Sequence, residues 1–544
     1  MTPTNHDEGP ELQLQRTFSG DTGGCFGGDG GVLTEPTAHE GWCERTDTRD
    51  RRQREQRETE VDMEKQDAES VKTTSSDQED EWEVRWEEND PENPRNLVKW
   101  RKWLCTYVVS SASLCVTCAS SIYTSTYFQT EKEYGISKML AISGLSLFVM
   151  GLGIGPMILA PLSEFYGRRP IYLASFSCFT LLLLPCALAP NITVLLIFRF
   201  FTGMAGSAFL SVAGGTVGDM FSGRELGAPM MIYTASPFVG PELGPLIGGF
   251  INQNANWRWT FWVMMIWSFF EFAAIYFFVP ETYNPVLLRR RAVSLRQKSG
   301  DDRHYAPIER LNRSIPRTIA WSCLRPFQLL TFEPILLMLC IFTAILLGVL
   351  YLFFQAFPLV FSGVHGFDVQ TTGLTFLGLF IGMVIGILSD PFWARMQAKL
   401  TARNNGVHEP EFRLLSGVLG GILVPIGIFW FSWTTFPSIH WIVPIIASVF
   451  FGVGTLLVFS AVFTFLVEAY PLYAASALAA NSFVRSCFAA GFPLFSGVLY
   501  QKLGNQWAGS VLGFLCLVMA PTMAAFMVWG KKIRANSRFA GGRK

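Results

Sequence analysis

Long apolar runs separated by short polar gaps dominate the chain from residue 103 onward. Twelve runs reach the ~20 residues that a helix needs to cross a bilayer. They are residues 103–127, 138–162, 170–189, 192–218, 228–251, 260–279, 334–360, 371–392, 414–433, 439–467, 473–499 and 506–530. The length and apolarity of these runs predict membrane helices, each boundary loose by several residues. The reading is an all-α membrane protein of twelve transmembrane helices. The gaps are short except 280–333, so the helices fall into two sets of six.

Charge orients the set. The 544 residues carry 43 basic and 43 acidic side chains, and the balance of zero conceals an asymmetry. Residues 1–96 hold 26 acidic against 11 basic side chains, and the remainder is basic by the same margin. The basic residues fall on alternate gaps: Arg168 and Arg169, then Arg289, Arg290, Arg291, Arg296 and others in 281–330, then Arg395, Lys399, Arg403 and Arg413, and finally Lys531, Lys532 and Arg534. Positive charge is retained on the cytosolic side, so both termini are expected there. Five regions follow: a disordered acidic cytosolic tail (1–96), a six-helix half (97–280), a basic cytosolic central loop (281–330), a second six-helix half (331–530) and a basic cytosolic C-terminal tail (531–544). The tail is poor in aliphatic residues and unable to bury a core. No apolar segment of a cleaved signal peptide appears in it.

One hairpin stands out. The run Gly151 to Leu162 has glycines at 151 and 155, the small-xxx-small spacing that lets helices approach closely in lipid. It ends at Ser163-Glu164-Phe165-Tyr166-Gly167-Arg168-Arg169-Pro170. This turn resembles the signature loop between spans two and three of the major facilitator superfamily, with Glu164 at the acid, Gly167 at the glycine and Arg168-Arg169 at the paired base. The resemblance implies the major facilitator fold, two parallel six-helix repeats with a site between them, and makes Glu164, Gly167, Arg168 and Arg169 a conformational-switch loop. Gly382 to Asp390, followed by Arg395, echoes the hairpin in the second half. Asp90-Pro91-Glu92-Asn93-Pro94-Arg95-Asn96 and Lys99-Trp100-Arg101-Lys102-Trp103 resemble the lead-in to span one of fungal drug:proton antiporters.

Ionisable groups inside spans are costly and point to function. Arg199 lies in Arg199-Phe200-Phe201-Thr202-Gly203-Met204-Ala205-Gly206, which resembles the span-four motif R-x-x-x-G-x-x-G. The resemblance implies a cavity-facing arginine that helps proton coupling; the alternative is an arginine snorkelling to the outer interface. Gly240, Pro241, Gly244, Pro245, Gly248 and Gly249 resemble the antiporter motif G-P-x-x-G-P-x-x-G-G, which implies outward transport; a kinked packing helix is the other reading. Glu242 occupies a variable position of that motif. It is a proton or cation site, a structural partner for Arg199 or Arg485, or an interfacial residue. Glu271 is a further acid within a span, and Glu468 ends span ten near the cytosol.

Tyr351 and Gln355, one turn apart in span seven, and Asn481 and Arg485 in span eleven are candidate cavity residues, although lone polar groups in spans often only bond a neighbouring helix. Asn191-Ile192-Thr193 is a sequon in an outer gap, next to the bilayer; Asn312-Arg313-Ser314 falls in the cytosolic loop. The 11 cysteines show no metal spacing, and no phosphate-binding or dinucleotide motif is present, so no cofactor, metal or nucleic-acid partner is expected. The resemblance implies a monomeric plasma-membrane efflux transporter that works by alternating access on small molecules and protons in the lipid bilayer. A transporter of a defined metabolite such as a polyamine or organic acid, and a sensor on the same scaffold, are the rival expectations.

Overall fold

The computed structural model describes residues 82–87, 90–221, 225–310, 315–470, 473–535, 537 and 539. The acidic tail up to residue 81 and the sequon at Asn312 lie outside the described residues.

Within the first half, helices run over Lys99–Tyr134 (α1), Lys138–Tyr166 (α2), Arg168–Ala187 (α3), Ile192–Met220 (α4), Gly227–Asn254 (α5) and Arg258–Phe278 (α6). The second half has Pro334–Ser362 (α7), Val369–Arg403 (α8), Pro410–Trp433 (α9) and Ile442–Ala469 (α10). The last run, Ala474–Met519, breaks at Gly504, whose φ of 73° belongs to the left-handed region that glycine tolerates. Its arms, residues 474–503 (α11) and 505–519 (α12), are followed by Pro521–Ala535.

Ten helical stretches among the described residues are long and apolar enough to cross a membrane. Two physical facts separate ten from twelve. The Gly- and Pro-rich α5 is less apolar than its neighbours, and α11 and α12 form one stretch through the Gly504 bend. With α5 added and the arms taken separately, the helices correspond one for one to the expected spans.

Helix pairing repeats six helices later. In the first half α1 packs on α5, α2 on α4, and α3 on α4 and α6. In the second half α7 packs on α11, α8 on α10, and α9 on α10 and α12. The contacts between the halves, α2 with α11 and α5 with α8, exchange under the same relation. Glycines make these crossings possible. At the α2–α4 crossing, a Cβ on Gly151 or Gly203 would strike the carbonyls of Phe200 and Phe148; at α8–α10, one on Gly382 or Gly452 would strike those of Val449 and Leu379. Between apolar helices in lipid, close backbone approach is the main source of attraction, and a side chain there would remove it.

Two segments differ from the sequence expectation. Residues 281–330 are not a loop but contain helices Asn284–Ser299, Pro307–Arg310 and Ile315–Phe332. The chain is also packed from Trp82 onward, well before residue 96. Val84 N–H donates to the Tyr305 carbonyl at 3.0 Å, and Val84, Ala292 and Ala306 share a small buried cluster. Arg291 hydrogen-bonds Asp90 and holds its carboxyl below the usual range. A depressed carboxylate stabilises the fold above its unfolded pKa, so this contact is intact at neutral pH and is lost only as pH falls through the lowered value.

Candidate functional site

The glycines of α5 form two faces. Gly240, Gly244 and Gly248 lie against α1: a Cβ on Gly240 or Gly244 would run into the hydroxyls of Thr117 and Ser121, and one on Gly248 would meet the Ile122 carbonyl at 2.8 Å. Gly249 faces the other half, where a Cβ would lie 2.8 Å from the Val369 carbonyl of α8; from that side, a Cβ on Gly373 would lie 2.6 Å from the Pro245 carbonyl. Pro241 and Pro245 are buried in the same helix, where each removes a backbone donor. The motif therefore builds a helix that seats tightly on α1 and touches the opposite half at Gly249 and, nearer its middle, through Phe238 stacked on Phe459.

Glu242 is carried on this helix and is 1 % exposed. Among the described residues neither carboxyl oxygen has a hydrogen-bond partner, and no cation pairs with it. Among the described residues Glu242 is paired with neither Arg199 nor Arg485.

Arg199 is 0 % exposed, which overturns the snorkelling alternative. Its guanidinium donates to the carbonyls of Ala119 (2.8 Å), Ser120 (3.0 Å) and Gly144 (3.3 Å). The rings of Phe148 and Tyr123 lie 4.4 and 4.6 Å from its central carbon. Carbonyl dipoles and ring faces thus compensate the charge, with no carboxylate in contact among the described residues. Arg485 is less satisfied. Phe238, Phe459 and Phe463 surround it at 5.1 to 5.5 Å, but its Nε and Nη1 have no acceptor.

Tyr351 connects these groups. Ser120 donates its hydroxyl to the Thr117 carbonyl (2.6 Å) and so accepts from the Tyr351 hydroxyl at 3.0 Å. This side-chain hydrogen bond joins a helix of the first half to a helix of the second, and Tyr127 and Gln355 approach each other across the same two helices. Tyr351 lies within electrostatic reach of Arg485, Glu242 and Arg199. Sequence reasoning missed Ser120, because hydroxyls are abundant along α1 and only one meets Tyr351. Gln355 is buried one turn away with its Nε2 unpartnered. Asn481 instead bonds Thr343 at 2.7 Å and Cys340 within the second half. Glu271 accepts from Ser111 and from Trp267, so it is satisfied between α1 and α6. Asn191 is the N-cap of α4, its side chain accepting from the Val194 amide at 3.0 Å.

The α2–α3 turn is held by groups distant in sequence. Gly167 has φ 99°, and a Cβ there would collide with the Glu281 carboxylate. Glu281 accepts from the amides of Arg168 (2.8 Å) and Arg169 (3.2 Å). The Arg168 side chain donates to Ser163 (2.7 Å) and pairs with Asp219 at the end of α4 (3.3 Å). Arg169 donates to the Tyr276 carbonyl at 2.9 Å. Glu164, the acid of the sequence motif, is half-buried and makes no ion pair among the described residues; Asp219 and Glu281 supply the acidity. The second half has a counterpart: Arg413 at the start of α9 pairs with Glu468 at the end of α10 (2.7 Å), which also meets His408. Arg413, not Arg395, is therefore the structural equivalent of Arg168. Gly167→Ala should cost about 2 kcal/mol, since it combines a strained φ with a blocked carboxylate. Thermal unfolding in detergent and a transport assay check this; wild-type values for both would dismiss the clamp.

The profile of the Major Facilitator Superfamily matches residues 109–492. The chain is 52 % identical over 462 residues to efflux pump atB of Aspergillus terreus, covering 84 % of this chain and 89 % of that protein. It is 41 % identical to efflux pump FUBT of Fusarium oxysporum (83 % and 76 % covered) and 40 % identical to the major facilitator superfamily multidrug transporter mdrA of Aspergillus fumigatus (86 % and 77 %). Its fold is similar to the partially occluded inward-open xylose transporter XylE of E. coli, with a TM-score of 0.55 at 15 % identity, over 79 % of this chain and 98 % of that one. With its repeated six-helix pairing, its clamped α2–α3 turn and a profile match over most of its length, the chain belongs to the major facilitator superfamily.

Proposed function

We propose that the protein exports small molecules, drugs or secondary metabolites, in exchange for protons. The observation that carries this reading is Glu242, a buried carboxyl without a partner on the helix that touches both halves. Burying a charge without a partner is expensive, so gaining or losing one proton here changes which arrangement of the halves is favoured. The Tyr351–Ser120 bond and the α5–α8 contact must break when the halves separate at that level. Arg485, with open donors beside the stacked Phe238 and Phe459, lies where substrate would enter between the halves. Export agrees with the names of the relatives, which are efflux pumps of fungi.

The protein resides in the plasma membrane as a monomer with its basic end, where α2 meets α3 and where α1 begins, in the cytosol. Cells expressing it should accumulate less of an apolar fluorescent substrate, and a protonophore should restore accumulation. Gene-dependent uptake that rises with external acidity would sink the antiport reading in favour of a symporter for a defined metabolite. Efflux that survives the protonophore and fails on ATP depletion would sink both.

A further inference from the structure

We propose that the protruding end of α8 is a binding site for an anionic phospholipid. Three observations place it there. First, α8 has 35 residues, a length of roughly 50 Å against the ~30 Å hydrocarbon core, so its last turns extend into the headgroup layer. Residues 390–403 are that extension, and they are helical throughout.

Second, Arg395, Lys399 and Arg403 are exposed at i, i+4 and i+8, one stripe of the helix, and none of them has a partner among the described residues. Glu468 is committed to Arg413, Glu411 to Arg534 and Glu409 to Lys531, and Asp390 in the first turn of the same helix lies toward Arg413 rather than the stripe. The protein itself therefore leaves this charge uncompensated.

Third, Phe392 and Met396 stand exposed on the same face, at 55 % and 37 %, beside Arg395 and Lys399. These residues and Ala398 border a single open depression on the helix surface. A phosphate bound by Arg395 and Lys399, with an acyl chain on Phe392 and Met396, matches the order in which the helix leaves the bilayer. A soluble anion would use the charges and leave the apolar pair uncovered, which favours the lipid.

The site has a consequence for gating. Gln397, on the opposite face of the same helix, accepts from Arg413 at 2.7 Å, and Arg413 holds Glu468. A lipid seated on one face steadies the helix whose other face supports the clamp of the second half.

The full chain in nanodiscs of phosphatidylcholine, with and without phosphatidylserine, tests this by thermal unfolding and by native mass spectrometry of retained lipid. Phosphatidylserine should raise the melting temperature and remain as an adduct. Arg395→Gln with Lys399→Gln should weaken retention about fivefold for each charge removed, and Arg395→Lys with Lys399→Arg should preserve it. Equal phosphatidylserine dependence in wild type and the double glutamine variant would reduce the stripe to a topology signal and overturn the proposal. Stabilisation by inorganic phosphate as strong as that by the lipid would overturn it in favour of a free-anion site. The substituted side chains are exposed, so loss of folding does not confound the result.

Discussion

Glu242→Gln is expected to leave the protein folded in the membrane but without proton-driven export. Glutamine keeps the volume of the side chain and removes its ability to take a proton. Because neither carboxyl oxygen accepts a hydrogen bond, the substitution disconnects no network. Stability should therefore change little. The accumulation ratio sustained by a proton gradient should fall by roughly one to two orders of magnitude, the range of a typical coupling free energy. Substrate exchange without a gradient should persist, which separates lost coupling from lost binding. Glu271→Gln provides the contrast. That carboxyl already accepts from Ser111 and Trp267, and its replacement should disturb packing more than coupling. A Glu242→Gln protein that still concentrates substrate against a proton gradient as wild type does would remove Glu242 from the mechanism.

Arg199→Ala is expected to abolish export and to destabilise the first half. The guanidinium joins α1 and α2 to α4 through three backbone carbonyls, two of them at Ala119 and Ser120, where α1 gives way to a tighter turn. Removing it leaves those acceptors unpaired and opens a void between Tyr123 and Phe148, at a cost of about 3 kcal/mol or more. It also releases the backbone of Ser120, whose hydroxyl meets Tyr351 of the other half. Lysine keeps the charge but not the flat stacking or the fork of donors, so Arg199→Lys should recover part of the stability and less of the transport. Thermal unfolding in detergent, read beside export, tests both variants. Wild-type stability in Arg199→Ala would refute the clasp, and wild-type export at normal abundance would exclude Arg199 from transport.

These predictions differ in how visible they were before folding. An acid or a base inside an apolar run is conspicuous in any sequence, so Glu242, Arg199 and Arg485 could be named from position alone. Their partners could not. Arg199 reaches carbonyls 55 to 80 residues away, and nothing in a sequence marks which backbone oxygens a helix crossing will present. The same limit applies to the α2–α3 turn. Its glycine and arginines follow a local pattern, whereas Asp219 and Glu281 arrive from 51 and 113 residues away. The echo around Arg395 misled because pattern similarity was strongest within the hairpin. Three-dimensional pairing shows that Arg413 occupies the equivalent place, one helix start later.

By itself the sequence determined the helices, their order and their division into two sets of six. Crossing a bilayer demands long apolar runs with internally satisfied backbones, and that requirement is written residue by residue. It also determined where helices can touch, because only glycine leaves room at a crossing. The tertiary structure alone decided which of those glycines meet which helix, and that Arg199 is satisfied while Arg485 and Glu242 are not. It alone packed Val84 against Ala292 and Ala306 and gave helices to Asn284–Ser299 and Ile315–Phe332. Those outcomes depend on long-range packing between groups whose separation along the chain carries no signal, so they exist only once the helices are in place.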